Sequence, residues 1–177
     1  DGSVIAFASE ADNLGDDPGD DPLVCDGFVH LPATGTTEVF TRSTTGAESS
    51  GGSCSVVRAR LSADGRYVMF GSYASNFAHP GDPADTNLQI DTFVRDRVAG
   101  TTRRVSVSSD GVENESQADG RAISADGRYV MITAHRDNWT PEAGYYSLNH
   151  DGSGVQRYLV ELEGFAEPVT LTLNAAT

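Results

Sequence analysis

The chain has 177 residues, with 26 acidic against 12 basic side chains and a formal net charge of −14. Because phosphate binding depends on clustered positive charge, this balance argues against nucleic acids and anionic membranes as partners. No apolar run approaches the roughly 18 residues of a membrane span, and the length suffices for one domain with its own core.

An internal repeat dominates the sequence. The phrase Ser-Ala-Asp-Gly-Arg-Tyr-Val-Met occupies residues 62–69 and again 124–131, and a weaker copy, Asp-Gly-Ser-Val-Ile-Ala-Phe, occupies residues 1–7. The Asp-Gly pairs of these copies stand at positions 1–2, 64–65 and 126–127, so their spacing is nearly even. Such periodicity indicates stacked units, since one unit alone cannot bury its apolar surface.

Each unit is typical of strands rather than helices. In the second unit, residues 59–62 and 67–70 flank an Asp-Gly pair at residues 64–65. Asp-Gly between two strand-like runs predicts a hairpin with a type I′ turn, in which both central residues have positive φ.

The strand after this turn is apolar on both faces. Val68 and Phe70 point to one side, and Tyr67 and Met69 point to the other. A sheet with one face in water alternates apolar with polar residues, so this strand is expected to lie between two layers.

Two further strands follow in the second unit, at residues 91–95 and 101–107, joined by a turn that contains Gly100. About four antiparallel strands per unit predict an all-β fold of propeller-type blades. The chain is thus expected to form a single β-propeller-like domain over residues 1–177, with three blades at about 1–50, 57–112 and 119–160.

The second unit resembles a known repeat. The runs Ser-Ala-Asp-Gly-Arg-Tyr-Val-Met-Phe at 62–70, Asp-Thr-Phe-Val-Arg-Asp-Arg at 91–97 and Gly-Thr-Thr-Arg-Arg-Val-Ser-Val at 100–107 are similar to the TolB-type β-propeller repeat of secreted bacterial proteins. The resemblance implies a propeller fold and a secreted, extracellular, bacterial location. It does not choose a function, because such propellers serve as binding platforms, assembly scaffolds and accessory domains of hydrolases.

The propeller is expected to be incomplete. Propellers typically have about four to eight blades, so three leave open faces, and the first blade lacks its innermost strand. Residues 167–174 alternate apolar with polar side chains, as a strand does. They are expected to complete a sheet in the same chain or in a neighbouring one, by β-augmentation. The alternative is that they begin a further domain.

Cys25 and Cys54 are the only cysteines, and both lie in the first unit. Given the resemblance to secreted proteins, a disulfide between these two residues is expected. The alternative is a pair of buried free thiols.

Two loops are rich in side-chain oxygens. Calcium takes about six to eight oxygen ligands, and ligands at alternate positions can wrap a hard cation. Neither loop is an EF-hand, and the alternative to calcium is a solvated acidic connection. The candidate ligands are Asp82, Asp85, Asn87, Gln89 and Asp91 in the second unit, and Asp16, Asp17, Asp20, Asp21 and Asp26 in the first.

No catalytic motif is present in the sequence. It has no Gly-x-Ser-x-Gly elbow, no His-Glu-x-x-His, no phosphate-binding loop and no Cys-His pairing. We therefore expect a non-enzymatic extracellular module that acts as a structural, self-assembly or protein-interaction scaffold. Its expected partner is another copy or another protein at the open blade edges. The alternatives are an accessory propeller domain of a secreted hydrolase and a carbohydrate-binding propeller.

Overall fold

A computed structural model describes residues 2–11, 13–14, 25–50, 57–77, 80, 84–108, 112–135, 145–149 and 155–162. Among these residues there is no helix of the length and apolarity that a membrane crossing requires. The described part of the chain is all-β, as predicted. Its strands are β1 (Ile5–Ser9), β2 (Asp26–Leu31), β3 (Thr36–Val39), β4 (Val57–Leu61), β5 (Tyr67–Ser72), β6 (Asp91–Asp96), β7 (Thr101–Arg104), β8 (Ala118–Ile123), β9 (Tyr129–His135), β10 (Tyr145–Asn149) and β11 (Val155–Glu161).

The described strands form three antiparallel sheets. Sheet 1 has the order β1-β2-β3, sheet 2 the order β4-β5-β6-β7, and sheet 3 the order β8-β9-β11-β10. Equivalent strands pair in equivalent register, since Phe7 lies opposite Phe28 in sheet 1 and Phe70 lies opposite Phe93 in sheet 2. The repeat in the sequence therefore corresponds to a repeat of sheets.

Sheet 3 departs from the simple chain order of sheet 2. Its strand β9 pairs with β11, with Met131 opposite Leu159, and β10 pairs with the far side of β11. The last of the described strands thus takes the place that β6 takes in sheet 2. If sheet 3 followed the chain order of sheet 2, β9 would pair with β10 instead.

The Asp-Gly turns differ from the predicted type I′ geometry. Among the described non-glycine residues, only Arg58 and Leu88 have positive φ, so the φ of Asp64 is not positive, and Gly65 has φ +69°. The amide of Gly65 donates to the carbonyl of Ser62 at 3.0 Å. This is a turn with Ser in its first position and Gly in its fourth, a combination that type I turns favour.

Side-chain hydrogen bonds explain why the longer turn forms. The hydroxyl of Ser62 donates to Asp64 Oδ1 at 2.6 Å and accepts from the amide of Tyr67 at 3.0 Å. Ser124 makes the same two contacts, with Asp126 and Tyr129, at 2.5 and 2.9 Å. Ser and Asp side chains that bond nearby backbone in this way stabilise turns.

The core lies between the sheets in two clusters. One fills the space between sheets 1 and 2, and the other fills the space between sheets 2 and 3. Strand β5 contributes to both, with Val68 and Phe70 in the first cluster and Met69 in the second, which confirms that this strand lies between two layers. The buried members are Val29, Phe40, Val68, Phe70, Ala74, Phe77 and Phe93 in the first cluster, and Met69, Val94, Val105, Ala118, Val130, Ile132, Ala134, Tyr158 and Val160 in the second.

Sheets 2 and 3 approach each other closely at Gly120. A Cβ added there would lie 2.8 Å from the sulfur of Met69 and 2.8 Å from Cγ2 of Thr92. The hydroxyl of Thr92 also donates to the carbonyl of Ala118 at 2.6 Å. No larger side chain fits between the two sheets at this position.

Candidate functional site

The most elaborate polar cluster in the described residues lies at one end of sheet 2. Asp91 begins β6 and Arg104 ends β7, which places both at the same end of an antiparallel pair. Glu113 forms an isolated bridge with Val107, and Asp85 comes from the loop before β6. Carboxylate oxygens of Asp85, Asp91 and Glu113 all lie within 4.8 Å of one another.

Asp91 is held by sheet 2 itself. Its Oδ1 accepts from the hydroxyl of Ser106 at 2.5 Å, and that hydroxyl accepts from the amide of Thr92 at 3.0 Å. Its Oδ2 accepts from Arg104 at 3.1 Å. Both carboxylate oxygens are therefore engaged.

Arg104 lies among the carboxylates. Its Nη1 contacts Asp91 and, at 2.7 Å, Glu113 Oε1, while its Nη2 donates to the carbonyl of Ala84 at 3.3 Å. The side chains of Arg104 and Asp91 are each only 1% exposed. A buried guanidinium with several carboxylate partners is costly to desolvate but holds its neighbours in one geometry.

Glu113 connects this cluster to the loop that precedes β6. Its Oε2 accepts from the amide and the hydroxyl of Thr86, at 3.0 and 2.6 Å. Next to it, Asn87 donates to the carbonyl of Asn114 at 2.7 Å. Hydrogen bonds thereby join the loop before β6 to the segment after β7.

The carboxyl groups of the cluster have different proton affinities. Burial raises the pKa of Asp91 to about 6, although Ser106 and Arg104 act in the opposite direction. Burial also raises the pKa of Asp85. In Glu113 burial acts upward too, but the hydrogen bonds from Thr86 outweigh it and the pKa is lowered.

The second-unit calcium ligands are only partly brought together. Asp85 and Asp91 share the cluster, whereas Asn87 Oδ1 accepts from the amide of Gln89 at 2.6 Å, and Asp82 lies outside the described residues. Because Arg104 already bonds two of the three carboxylates, the cluster fits a guanidinium better than a calcium ion. Calcium in this unit stays a prediction, with Arg104 as its competitor.

The first unit repeats part of this arrangement without the arginine. Asp26 accepts from the hydroxyl of Thr41 at 2.6 Å, and that hydroxyl accepts from the amide of Gly27 at 2.9 Å, as in the Asp91 and Ser106 pair. In the alignment of the two units that matches Asp26 with Asp91, Val39 stands where the second unit has Arg104. Four predicted ligands lie outside the described residues: Asp16, Asp17, Asp20 and Asp21.

The predicted disulfide and the closing strand fall partly or wholly outside the described residues. Cys25 is buried, at 1% exposure, just before β2, while Cys54 is not described. The pairing stays a prediction, which mass spectrometry of alkylated thiols checks. Residues 167–174 are likewise not described.

A second feature of functional interest is the edge of sheet 1. Within the described residues, β1 pairs with β2 alone, whereas its equivalent β5 pairs with both β4 and β6. The equivalent strand β9 also pairs on both sides. The edge of β1 thus presents backbone donors and acceptors that the other two sheets use for an inner strand.

Sequence reasoning missed Arg104, Ser106 and Glu113. A signal existed for Glu113, because Gly46-Ala47-Glu48 of the first unit recurs in the second as Gly111-Val112-Glu113. No comparable signal existed for Arg104, since Val39 occupies its place in the first unit.

Comparison with known proteins finds no family model that the chain matches and no curated protein that it resembles significantly. The resemblance to the TolB-type repeat therefore stays a prediction.

Proposed function

We propose that this chain is a non-enzymatic scaffold of propeller-type blades that works outside the cell and joins protein chains at the open edge of sheet 1. The observation that carries the proposal is the one-sided pairing of β1 within the described residues, in contrast to β5 and β9. A strand that pairs on one side only can accept an extended segment on its other side through backbone hydrogen bonds.

The proposed occupant is a strand with one apolar face. Residues 167–174 have this pattern, with Val169, Leu171 and Leu173 at alternate positions. Such a strand supplies the inner position that β4 fills in sheet 2 and β8 fills in sheet 3. It comes from the same chain or from a neighbouring copy.

The polar cluster of sheet 2 supports a structural role over a catalytic one. General acid-base chemistry needs a titratable group within reach of a substrate. Asp91 and Arg104 are each 1% exposed and bonded to each other, so neither reaches solvent. The cluster instead fixes the loops around sheet 2.

A peptide titration tests the proposal. The acceptor is the full chain with Leu171→Pro, whose own segment is weakened as a strand because proline lacks a backbone donor. The probe is a fluorescent peptide of residues 167–174, and the matched control is the same peptide with proline at position 171. We expect saturable binding of the probe, at least tenfold weaker binding of the control, and slower amide exchange in Ile5–Ser9 on binding. Equal binding of the two peptides, or protection confined to other strands, would overturn the proposal.

A further inference from the structure

We propose that the first strands of sheets 2 and 3, β4 and β8, form a binding site for a single tetrahedral oxyanion. The ligand is a phosphate or sulfate group, and the residues that bind it are Arg58 and Arg121. The inference goes beyond the scaffold function and does not depend on it, because the site lies on β4 and β8 and not on the edge of β1.

Each of the two strands contains a β-bulge at the same point of the repeat. In β4 the register with β5 shifts within residues 57–60, and in β8 the register with β9 shifts within residues 120–122. Each stretch ends four residues before the aspartate of its Asp-Gly turn, and each contains an arginine between its ends, Arg58 or Arg121. Bulges redirect a side chain and are frequent next to functional sites.

The backbone of Arg58 is in the left-handed region, with φ 57°. Among the described non-glycine residues, only Leu88 shares this feature. The conformation is unfavourable for a residue with a Cβ, and strained positions of this kind are concentrated at functional sites. In this conformation the side chain of Arg58 reaches from sheet 2 to a carboxylate of sheet 3.

The two guanidinium groups converge on one carboxylate oxygen. Oδ2 of Asp119 accepts from Nη1 of Arg58 at 2.9 Å and from Nη2 of Arg121 at 3.2 Å. Nε of Arg121 also donates to the hydroxyl of Thr133 at 3.2 Å. Two positive charges therefore share one negative charge, and one positive charge is left in excess.

The carboxylate is buried, whereas the guanidinium groups are accessible. The side chain of Asp119 is 5% exposed, while those of Arg58 and Arg121 are 48% and 35% exposed. Within the described residues, the guanidinium of Arg58 has no hydrogen bond other than the one to Asp119. Its remaining N–H groups are thus available to a ligand from solvent.

Close packing holds the β8 side of the site in place. Asp119 and Arg121 flank Gly120, where an added Cβ would lie 2.8 Å from the sulfur of Met69 and 2.8 Å from Cγ2 of Thr92. The backbone of β8 at this point is therefore pressed against sheet 2. A site that is already ordered loses less conformational entropy when a ligand binds.

The chemistry of the site favours one small oxyanion. Guanidinium groups donate several hydrogen bonds in one plane, and carboxylate and phosphate oxygens are their strong partners. A carboxylate matches one such group, whereas a tetrahedral oxyanion has enough oxygens for two groups that come from different strands. A polyanion does not fit, because the excess is one charge on a chain with a formal net charge of −14.

Titration of the wild-type chain with inorganic phosphate tests the site. Ionic strength is held constant with sodium chloride, because salt alone screens the repulsion within an acidic chain. The readout is the NMR signal of each arginine Nε–Hε group. We expect saturable shifts at Arg58 and Arg121, and none at Arg66, which is 42% exposed and pairs with Asp96. The absence of saturable shifts, or shifts of equal size at Arg66, overturns the proposal.

Two variants with the same change in net charge separate the site from a general charge effect. Arg58→Gln removes one of the two converging guanidinium groups, and Arg66→Gln removes an arginine of similar exposure from a one-to-one ion pair. We expect the phosphate dissociation constant to rise about tenfold or more for Arg58→Gln. It should be unchanged for Arg66→Gln, and equal effects overturn the proposal. The wild-type titration keeps the proposal falsifiable if a variant fails to fold.

Three further probes identify the class and source of the ligand. Sulfate is expected to bind like phosphate, and acetate is expected to bind more weakly; acetate binding as tight as that of phosphate overturns the tetrahedral class. Methyl phosphate compares a free ion with an ester group. Both results support the site: tighter binding of the ester assigns a group on a larger molecule, and tighter binding of inorganic phosphate assigns a free ion.

Discussion

The ring of Tyr67 lies directly on Gly127, so closely that a Cβ at this glycine would be 2.9 Å from Cε2 of the tyrosine and nearer still to Cδ2. This contact joins the first residue of β5, in sheet 2, to the turn that precedes β9, in sheet 3. At Gly65 and at Gly127 the turn glycine is covered by a side chain that follows the preceding turn, Val4 in the first case and Tyr67 in the second.

Replacement of Gly127 by alanine is expected to destabilise the protein. The left-handed backbone, with φ +76°, costs a non-glycine residue roughly 1 to 2 kcal/mol. The clash with Tyr67 adds about 1 to 3 kcal/mol of overpacking. The matched control is Gly35→Ala, which has φ +70° and open space around its Cβ. Urea unfolding of both variants measures the difference, and equal losses would show that the Tyr67 contact is unimportant.

The buried ion cluster predicts unequal effects for two arginines. Arg104→Met is expected to lower the free energy of unfolding by about 3 to 5 kcal/mol, because it leaves Asp91 and Glu113 buried without their cation. Arg66→Met, which breaks the pair with Asp96 at 2.7 Å, is expected to do far less, because Arg66 is 42% exposed. Thermal and denaturant unfolding of both variants at one pH check the order. A similar loss in both would contradict the role given to the cluster.

Asp91 predicts a specific pH dependence of stability. Its pKa rises from an ordinary value of 3.8 to about 6 in the folded chain, chiefly through burial. A raised folded pKa contributes stability that is fully present below pH 3.8 and is lost as the pH rises through about 6. We therefore expect the free energy of unfolding of wild type, minus that of Asp91→Asn, to decrease as the pH rises from 3.8 to about 6.

Carboxyl NMR gives an independent measure of the same pKa. Asp64 and Asp96 serve as internal controls of opposite sign, because hydrogen bonds from Ser62 lower the pKa of the first and those from Arg66 outweigh burial in the second. If the free energy of unfolding of wild type minus that of Asp91→Asn instead rises with pH, the attraction of Arg104 outweighs burial at Asp91.

Calcium is expected to act through the first unit. The second unit has Arg104 among its carboxylates, and the first has Val39 at the corresponding position. We expect the thermal midpoint to be higher with calcium than with a chelator. The double variant Asp20→Asn, Asp21→Asn should remove this response, and Asp85→Asn should keep it. A flat response in wild type would remove calcium from the account, and a loss on Asp85→Asn would place the ion in the second unit.

The parts of the fold that follow local rules could be predicted from the sequence. The apolar faces of Val68 and Met69 placed β5 between two layers, since a strand apolar on both sides needs two covers. The positions of the turns before β5 and β9 could be predicted from the Asp-Gly pairs in the sequence. Their geometry could not, because the hydroxyl of Ser62 and the carboxylate of Asp64 bond the turn backbone and favour a different turn type.

The features that depend on distant parts of the chain could not be predicted. The order of sheet 3 is set by which of β10 and β11 pairs with β9, and the sequences of both strands contain apolar residues enough for either pairing. The carboxylates Asp85 and Asp91 were recognised as a group. Their buried counterion Arg104 was not, because nothing in a strand sequence shows which charged side chain turns inward.

Amide hydrogen exchange of β1 tests the central claim most directly. It is measured in the full chain with Leu171→Pro, with and without the peptide of residues 167–174. The account predicts slower exchange in Ile5–Ser9 when the peptide is bound. Unchanged exchange of this strand at saturating peptide would contradict it.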